Sequence, residues 1–357
     1  MNIGFYAYTV GPAGMLKLIA KAAEAKGHNV VLLKENTQGI VAAEKEKLAD
    51  CDVVAMGWSS AGIEEELELA EYLTTHGIPI VIVEDVPGSC LRPKAQEFTR
   101  RMKLPCVLAM PVGGEDALDF GFGSVEYVGP PPHWGVSYND MMVNHRSEFK
   151  KRIGSEIVEL SPEDKIIYVP GTKDPRLVNT LLKNVLATGR AILGSNLVLG
   201  FRGHPGEKPD PKKKGDQEKY EQLWAERKQL LEGVSMLESG DANNAQLVRA
   251  ADIPVFPGGG PTESIVAAYA RMSAIYYHDE EVAKGLRALG MLDGKWFVAE
   301  RGGVYKASGP EDVGVGIRYL LTEEGRKIQR EKQEDNFPLP VTWNTAPIFA
   351  GVIEALV

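Results

Sequence analysis

The chain has 357 residues, 44% of them hydrophobic and 25% charged, and a formal net charge of −9. That length exceeds one ordinary hydrophobic core and implies two domains of a soluble globular protein. The negative balance argues against a broad basic face for duplex nucleic acid, although it leaves nucleic acid open as a locally bound acceptor.

Cys51, Cys90 and Cys106 lack metal-ligand spacing and sit in or beside apolar runs, as buried reduced thiols of a cytosolic protein do. No signal peptide precedes the first strand and no apolar run reaches membrane-spanning length, so a cytoplasmic location is expected.

In chain order, Ile3–Tyr8 reads as a strand, Val10-Gly11-Pro12-Ala13-Gly14 as a turn, and Met15–Lys26 as a helix closed by Gly27-His28. Val30–Leu33, Asp52–Met56 and Ile78–Val83 read as strands. The acidic stretch Glu64–His76 reads as a helix between the last two. Val107–Met110 and Val125–Val128 are further strands before Gly129-Pro130-Pro131-Pro132 breaks the pattern. This βα alternation implies a parallel sheet with right-handed crossovers.

A second alternating unit begins with the strand Ile166–Val169 and its exit loop Pro170-Gly171-Thr172, followed by a helix over Leu177–Leu193. The strand Leu197–Phe201 ends in Arg202-Gly203-His204-Pro205-Gly206-Glu207, and a lysine-rich surface loop leads to a helix over Tyr220–Leu231. A short helix over Ala245–Ala250 precedes Asp252–Ala267. Ala274–Tyr277 is then a strand, and helices cover Asp312–Leu321, Glu324–Gln333 and Pro347–Leu356.

The stretch Asp252–Ala267, DIPVFPGGGPTESIVA, carries the most chemistry. An apolar strand stops at Pro257, and Gly258, Gly259 and Gly260 supply bare backbone. Pro261, Thr262, Glu263 and Ser264 then open a helix. Unpaired N–H groups and the positive dipole end of a helix suit a phosphate, and Thr262 and Ser264 add hydroxyls. A carboxylate at Glu263 fits a sugar hydroxyl better than a phosphate. The structural alternative is a tight strand–helix turn with an acid at the helix start.

Parallel sheets bind ligands beyond the C-terminal ends of their strands, so Gly171-Thr172 and Arg202–Glu207 qualify together with that turn as ligand loops if they lie side by side. Arg202 suits a bidentate phosphate contact, and His204 can bind phosphate or move a proton. A capped strand end is the alternative for both. In the first domain, Asp85 or Glu84 can act as general base toward an acceptor hydroxyl, or simply cap a turn. Asp50-Cys51-Asp52 reads as a turn rather than a metal site, His28 as a helix-end charge, and Trp58 and Trp134 as sugar-facing or packing rings.

These residues resemble the two-domain nucleotide-sugar glycosyltransferases of the GT-B fold, a group that includes the non-hydrolysing sugar 2-epimerases and polyol-phosphate polymer transferases. The likeness is carried by Ala25-Lys26-Gly27-His28-Asn29-Val30, Gly77-Ile78-Pro79-Ile80-Val81, Val128-Gly129-Pro130-Pro131, Val169-Pro170-Gly171-Thr172, Arg202-Gly203-His204-Pro205, and Ala250-Ala251-Asp252 with the Gly-rich helix start. It implies an α/β architecture of two Rossmann-like domains whose parallel sheets face a central cleft. The first, residues 1–150, would hold the acceptor, with a C-terminal helix within 344–357 packing back on it. The second, residues 151–343, would bind the donor.

The implied donor is a nucleoside diphosphate sugar, UDP-linked, with no other cofactor and no metal. It would be held by Gly171, Thr172, Arg202, His204, Gly258, Gly259, Gly260, Pro261, Thr262, Glu263 (on the ribose) and Ser264, with Asp85, Glu84 and His204 as candidate catalytic groups. A homodimer is compatible with this reading. The epimerases' acidic pair after the glycines is missing, and Ala270-Arg271-Met272-Ser273-Ala274 replaces the group's small-Gly-Pro loop. Epimerisation and catalytically silent nucleotide binding therefore stand as alternatives to glycosyl transfer.

Overall fold

A computed structural model describes residues 1–8, 10–33, 42–57, 63–84, 106–109, 125–172, 174–204, 207–209, 215–258, 262–288 and 296–355. The chain divides into two compact units, residues 1–136 with 340–357, and residues 137–339. The division falls at Val136/Ser137, and the first strand beyond it, Lys150–Ile153, belongs to the second sheet.

The first unit holds a six-stranded sheet built from β1 (Asn2–Tyr6), β2 (Asn29–Leu32), β3 (Val53–Gly57), β4 (Ile80–Val83), β5 (Cys106–Ala109) and β6 (Val125–Tyr127), in the order β2-β1-β3-β4-β5-β6. Every neighbouring pair is parallel. Strands β3 and β4 are buried throughout, which is why they read as unbroken apolar runs rather than alternating ones. Helices α1 (Val10–Ala25), α2 (Ala42–Ala49) and α3 (Ile63–Thr75) connect the early strands, and α4 (Pro132–Met142) runs across the division at Val136/Ser137.

Helix α1 starts five residues earlier than the sequence suggests. Gly11-Pro12-Ala13-Gly14 lies within it and is not a turn. The first-turn N–H groups of a helix have no internal acceptor, so a proline there costs little. Pro12 also explains Gly57 at the end of β3, where a Cβ would sit 2.3 Å from the Pro12 Cβ.

Helix α13 (Ala346–Glu354) packs on α1 in the same unit. Phe349, Ala350 and Ile353 are buried in one cluster with Leu16, Ile19, Ala20 and Ala23. Outside the cluster, Lys26 Nζ and His28 Nε2 each lie 2.8 Å from the Glu354 carboxylate. His28 is thus partnered by the last helix and does not merely end α1.

The second unit holds an eight-stranded sheet in the order β14-β13-β12-β9-β10-β11-β7-β8. Its parallel members are β9 (Lys165–Pro170), β10 (Leu197–Arg202), β11 (Met236–Glu238), β12 (Ile253–Pro257), β13 (Ile275–Tyr277) and β14 (Tyr305–Ala307). The hairpin of β7 (Lys150–Ile153) and β8 (Glu156–Glu159) turns at Gly154, whose φ is 61°, and adds antiparallel to β11.

The helices of this unit are α5 (Pro175–Leu193), α6 (Asp216–Leu231), α7 (Asn244–Ala250), α8 (Thr262–Tyr269), α9 (Glu280–Ala288), α10 (Phe297–Glu300), α11 (Pro310–Leu321) and α12 (Glu323–Asn336). Helix α5 buries Leu177, Val178, Leu181, Leu182, Val185 and Leu186 along one face. At roughly 1.5–3 kcal/mol for each such side chain, that stripe is a major part of what holds the unit together. No described helix is long and apolar enough to cross a membrane.

Candidate functional site

From β9 the chain steps to β10 and β11 on one side, then returns to place β12, β13 and β14 on the other. The order therefore reverses between β9 and β12. In an open parallel sheet, the crevice beyond the strand ends at such a reversal is where ligands bind. The described residues at those strand ends are Gly171-Thr172 after β9, Arg202–His204 at the end of β10, and Gly258 after β12.

Two of these loops touch directly. The Gly171 N–H donates to the Arg202 carbonyl at 2.7 Å. A Cβ on Gly171 would lie 2.5 Å from the His204 nitrogen and 2.9 Å from the Arg202 oxygen, so only glycine permits this approach. The Thr172 hydroxyl donates to the Asp174 carbonyl and accepts from the Asp174 N–H, at 3.0 and 3.2 Å. It shapes the turn that leads into α5, where Asp174 caps the helix.

The Arg202 guanidinium is exposed and donates through Nη1 to the Ala242 carbonyl. His204 is half-buried, and its carbonyl accepts from the Glu207 N–H at 2.9 Å. Glu207 is buried and faces inward. It pairs with Arg227 at 2.8 Å and accepts from the Trp224 indole at 2.7 Å. Arg227 also donates to Asn179 at 2.9 Å and lies 5.2 Å over the Phe201 ring. This network bolts the loop after β10 to α5 and α6, and the sequence shows no sign of it because the partners lie 17 to 48 residues apart.

At the Gly-rich turn, Gly258 packs rather than opens. A Cβ there would lie 2.2 Å from Val282 Cγ1 and 3.1 Å from His278 Nδ1. Gly259, Gly260 and Pro261 lie outside the described residues. Thr262 and Glu263 are partly exposed on the first turn of α8, whereas Ser264 is fully buried and its Oγ accepts from the Trp296 indole at 2.9 Å. Glu263 Oε1 accepts from Asn244 Nδ2 at 3.1 Å, and Asn244 Oδ1 accepts from the Tyr168 hydroxyl at 3.0 Å.

Tyr168, Asn244, Trp296 and His278 were not singled out from the sequence. A tyrosine inside an apolar strand reads as core. Burial raises the Tyr168 phenol well above its ordinary range; the Glu263 charge adds to this and the Arg202 charge opposes it. Tyr168 therefore lies within electrostatic reach of both Arg202 and Glu263.

In the first unit Glu84 is buried at the end of β4, and Asp85 lies outside the described residues. A buried carboxylate missed in the acidic pattern of α3 is Glu66, which accepts from the Tyr8 N–H at 2.9 Å beyond the end of β1. Trp134 is fully buried and packs, while Trp58 lies outside the described residues. Asp52 accepts from the Asn2 N–H at 2.7 Å, and burial pushes the Cys51 thiol up to about 11. Asp50-Cys51-Asp52 therefore closes a turn.

Two open grooves, of about 710 and 620 Å³, border the opposite, N-terminal ends of β11 and β14. They are not where a parallel sheet binds its ligand.

The sequence matches no family model and no curated protein. Solved structures do match. The UDP-GlcNAc 2-epimerase from Neisseria meningitidis bound to UDP-GlcNAc shares 12% identity at a TM-score of 0.62, over 100% of this chain and 99% of that one. The UDP-GlcNAc 2-epimerase from Methanocaldococcus jannaschii shares 12% at 0.60, over 99% and 100%. An α,α-trehalose-phosphate synthase (UDP-forming) from Burkholderia vietnamiensis shares 10% at 0.56, over 99% of each. The chain thus has the α/β fold of the GT-B glycosyltransferases and UDP-sugar 2-epimerases, with two Rossmann-like units.

Proposed function

We propose that the protein is a glycosyltransferase that binds a UDP-linked sugar at the switch point of its second unit and moves the sugar to an acceptor hydroxyl. The observation that carries this reading is the position of Gly171-Thr172, Arg202–His204 and Gly258 at the ends of three adjacent strands, β9, β10 and β12, with Gly171 hydrogen-bonded to Arg202.

In this reading the backbone N–H groups of Gly258–Ser264, Pro261 excepted, and the Arg202 guanidinium take the charge that develops on the departing diphosphate. Arg202 would exchange its bond to the Ala242 carbonyl for the phosphate. Glu263 accepts from the ribose hydroxyls. His204 can contact the diphosphate or donate a proton to it, and Asp85 or Glu84 takes the proton of the acceptor hydroxyl. No metal enters the scheme, so a chelator should leave turnover intact.

A second reading, 2-epimerisation of the donor, is favoured by one observation. The two epimerases match at TM-scores of 0.62 and 0.60, against 0.56 for the synthase.

Titration calorimetry with UDP is the first test. Saturable binding that weakens about tenfold in Arg202→Ala supports the phosphate assignment, given 1.4 kcal/mol per tenfold change. Absence of UDP binding would overturn it. Product analysis then separates the two activities: an epimerase converts UDP-sugar with no acceptor, whereas a transferase releases UDP only when an acceptor is glycosylated.

A further inference from the structure

Glu263 does not stand alone at the start of α8. Tyr168 is fully buried on β9, and its ring has room because β10 carries Gly200 beside it, where a Cβ would lie 3.0 Å from Tyr168 Cδ2. A phenol has one proton to give, and Tyr168 gives it to Asn244 Oδ1 at 3.0 Å. That bond fixes the Asn244 amide with its oxygen toward Tyr168 and its nitrogen toward Glu263. Nδ2 then donates to Glu263 Oε1 at 3.1 Å.

Asn244 is itself held in place. It is the first residue of α7, directly after a reciprocal cap in which Asn243 and Gln246 bond each other's backbone N–H at 3.0 and 2.9 Å. The chain of donors therefore runs one way, from a rigid strand through a rigid helix start to one carboxylate oxygen. Among the described residues the second oxygen, Oε2, makes no hydrogen bond. A carboxylate held by one oxygen presents the other in a set direction, which suits hydroxyl donors on a ligand.

We infer that Tyr168 and Asn244 are positioning residues that orient Glu263 toward a ribose, and thereby set a preference for ribonucleoside over 2′-deoxyribonucleoside diphosphates. The inference rests on the nucleotide reading above. It adds two residues that need not touch the ligand, and one property, ribose discrimination, that a purely structural hydrogen-bond chain would not control.

The test is the ratio of dissociation constants for UDP and 2′-deoxy-UDP, measured by calorimetry on the full chain. Wild type should prefer UDP by about tenfold or more, the value of a hydrogen bond to a charged group. Tyr168→Phe removes one oxygen from a buried ring, and Asn244→Ala removes the bridge. Both should bring the ratio to within about threefold of unity, with 2′-deoxy-UDP affinity little changed. If Asn244→Ala does not fold, Tyr168→Phe still decides the matter.

A ratio unchanged in these variants but abolished in Glu263→Gln overturns the positioning role and leaves Glu263 as the ribose ligand. A ratio unchanged in Glu263→Gln as well overturns the ribose contact, and the inference with it. Failure of wild type to bind UDP overturns the nucleotide reading itself.

Discussion

Gly171 and Arg202 are joined by a 2.7 Å backbone hydrogen bond from the first residue after β9 to the last residue of β10. Strand pairing ends at Arg202↔Pro170, so this bond carries the contact one step past the ladder and holds two candidate ligand loops together. A Cβ at residue 171 would meet backbone atoms at 2.5, 2.9 and 2.9 Å, none of which can swing away as a flexible side chain would.

Gly171→Ala should therefore force the two loops apart. The expected cost is about 1–3 kcal/mol of stability, that of forcing a methyl group into a filled space. UDP affinity should fall by about tenfold, because the loops that would grip the diphosphate separate. Urea unfolding and calorimetry read the two effects. A variant with wild-type stability and wild-type UDP binding would show that the close approach matters to neither.

The pair Glu207–Arg227 tests whether the loop after β10 depends on its anchor. Both side chains are nearly fully buried, at 4% and 9% exposure. Removing one partner leaves the other buried without a counter-charge, at a cost of about 3–5 kcal/mol. Arg227→Met should show this loss in urea unfolding. The double change Arg227→Met, Glu207→Leu should recover much of it, since hydrophobic replacement of a whole buried pair is often neutral. A double variant as unstable as the sum of its singles would mean that Trp224 and Asn179, not the ion pair, hold the loop.

Buried parallel strands were legible because burial on both faces leaves continuous apolar runs such as those of β3, β4 and β9. The hairpin β7–β8 was not. Its residues are almost all partly or fully exposed, and KKRI and EIVE carry little of the apolar pattern that marks a strand. The start of α1 was hidden for the opposite reason, since Gly-Pro-Ala-Gly has turn composition that the unpaired first turn of a helix tolerates. In the site, Glu263 stood out because a carboxylate follows a glycine run. Tyr168 and Asn244, which hold it, gave no local sign, because their contact spans 76 residues and exists only once β9 and α7 are packed.

Asp174 links the Thr172 turn to the acid stability of the second unit. Burial acts to raise its carboxyl, but hydrogen bonds from the Arg176 side chain and N–H outweigh this and hold it below the ordinary carboxylate range. The folded state thus binds this proton less readily than the unfolded chain. The resulting stability is fully present above the unfolded value of about pH 4, and is lost as the pH falls through the lower folded value. Asp174→Asn keeps a capping oxygen and removes the charge. The stability gap between wild type and Asp174→Asn should be constant near neutrality and shrink once the pH drops below about 4. A gap that persists unchanged into acid would show that the loss comes from altered cap geometry and not from charge.

The contact of α13 with α1 separates packing from surface charge within the first unit. Phe349 is fully buried among Leu16, Ile19 and Ala20, so truncation to alanine leaves a cavity where a ring was. Phe349→Ala should cost about 3–5 kcal/mol. Glu354 sits at the rim of the same contact, 36% exposed, with Lys26 and His28 as partners. Exposed pairs gain little in water and are screened by salt, so Glu354→Gln should leave the melting temperature nearly unchanged. Hydrogen exchange on the α1 amides gives the reading in both variants, with protection lost in Phe349→Ala and kept in Glu354→Gln. The reverse order would mean that the ionic clasp, and not the buried ring, holds the returning helix to the first unit.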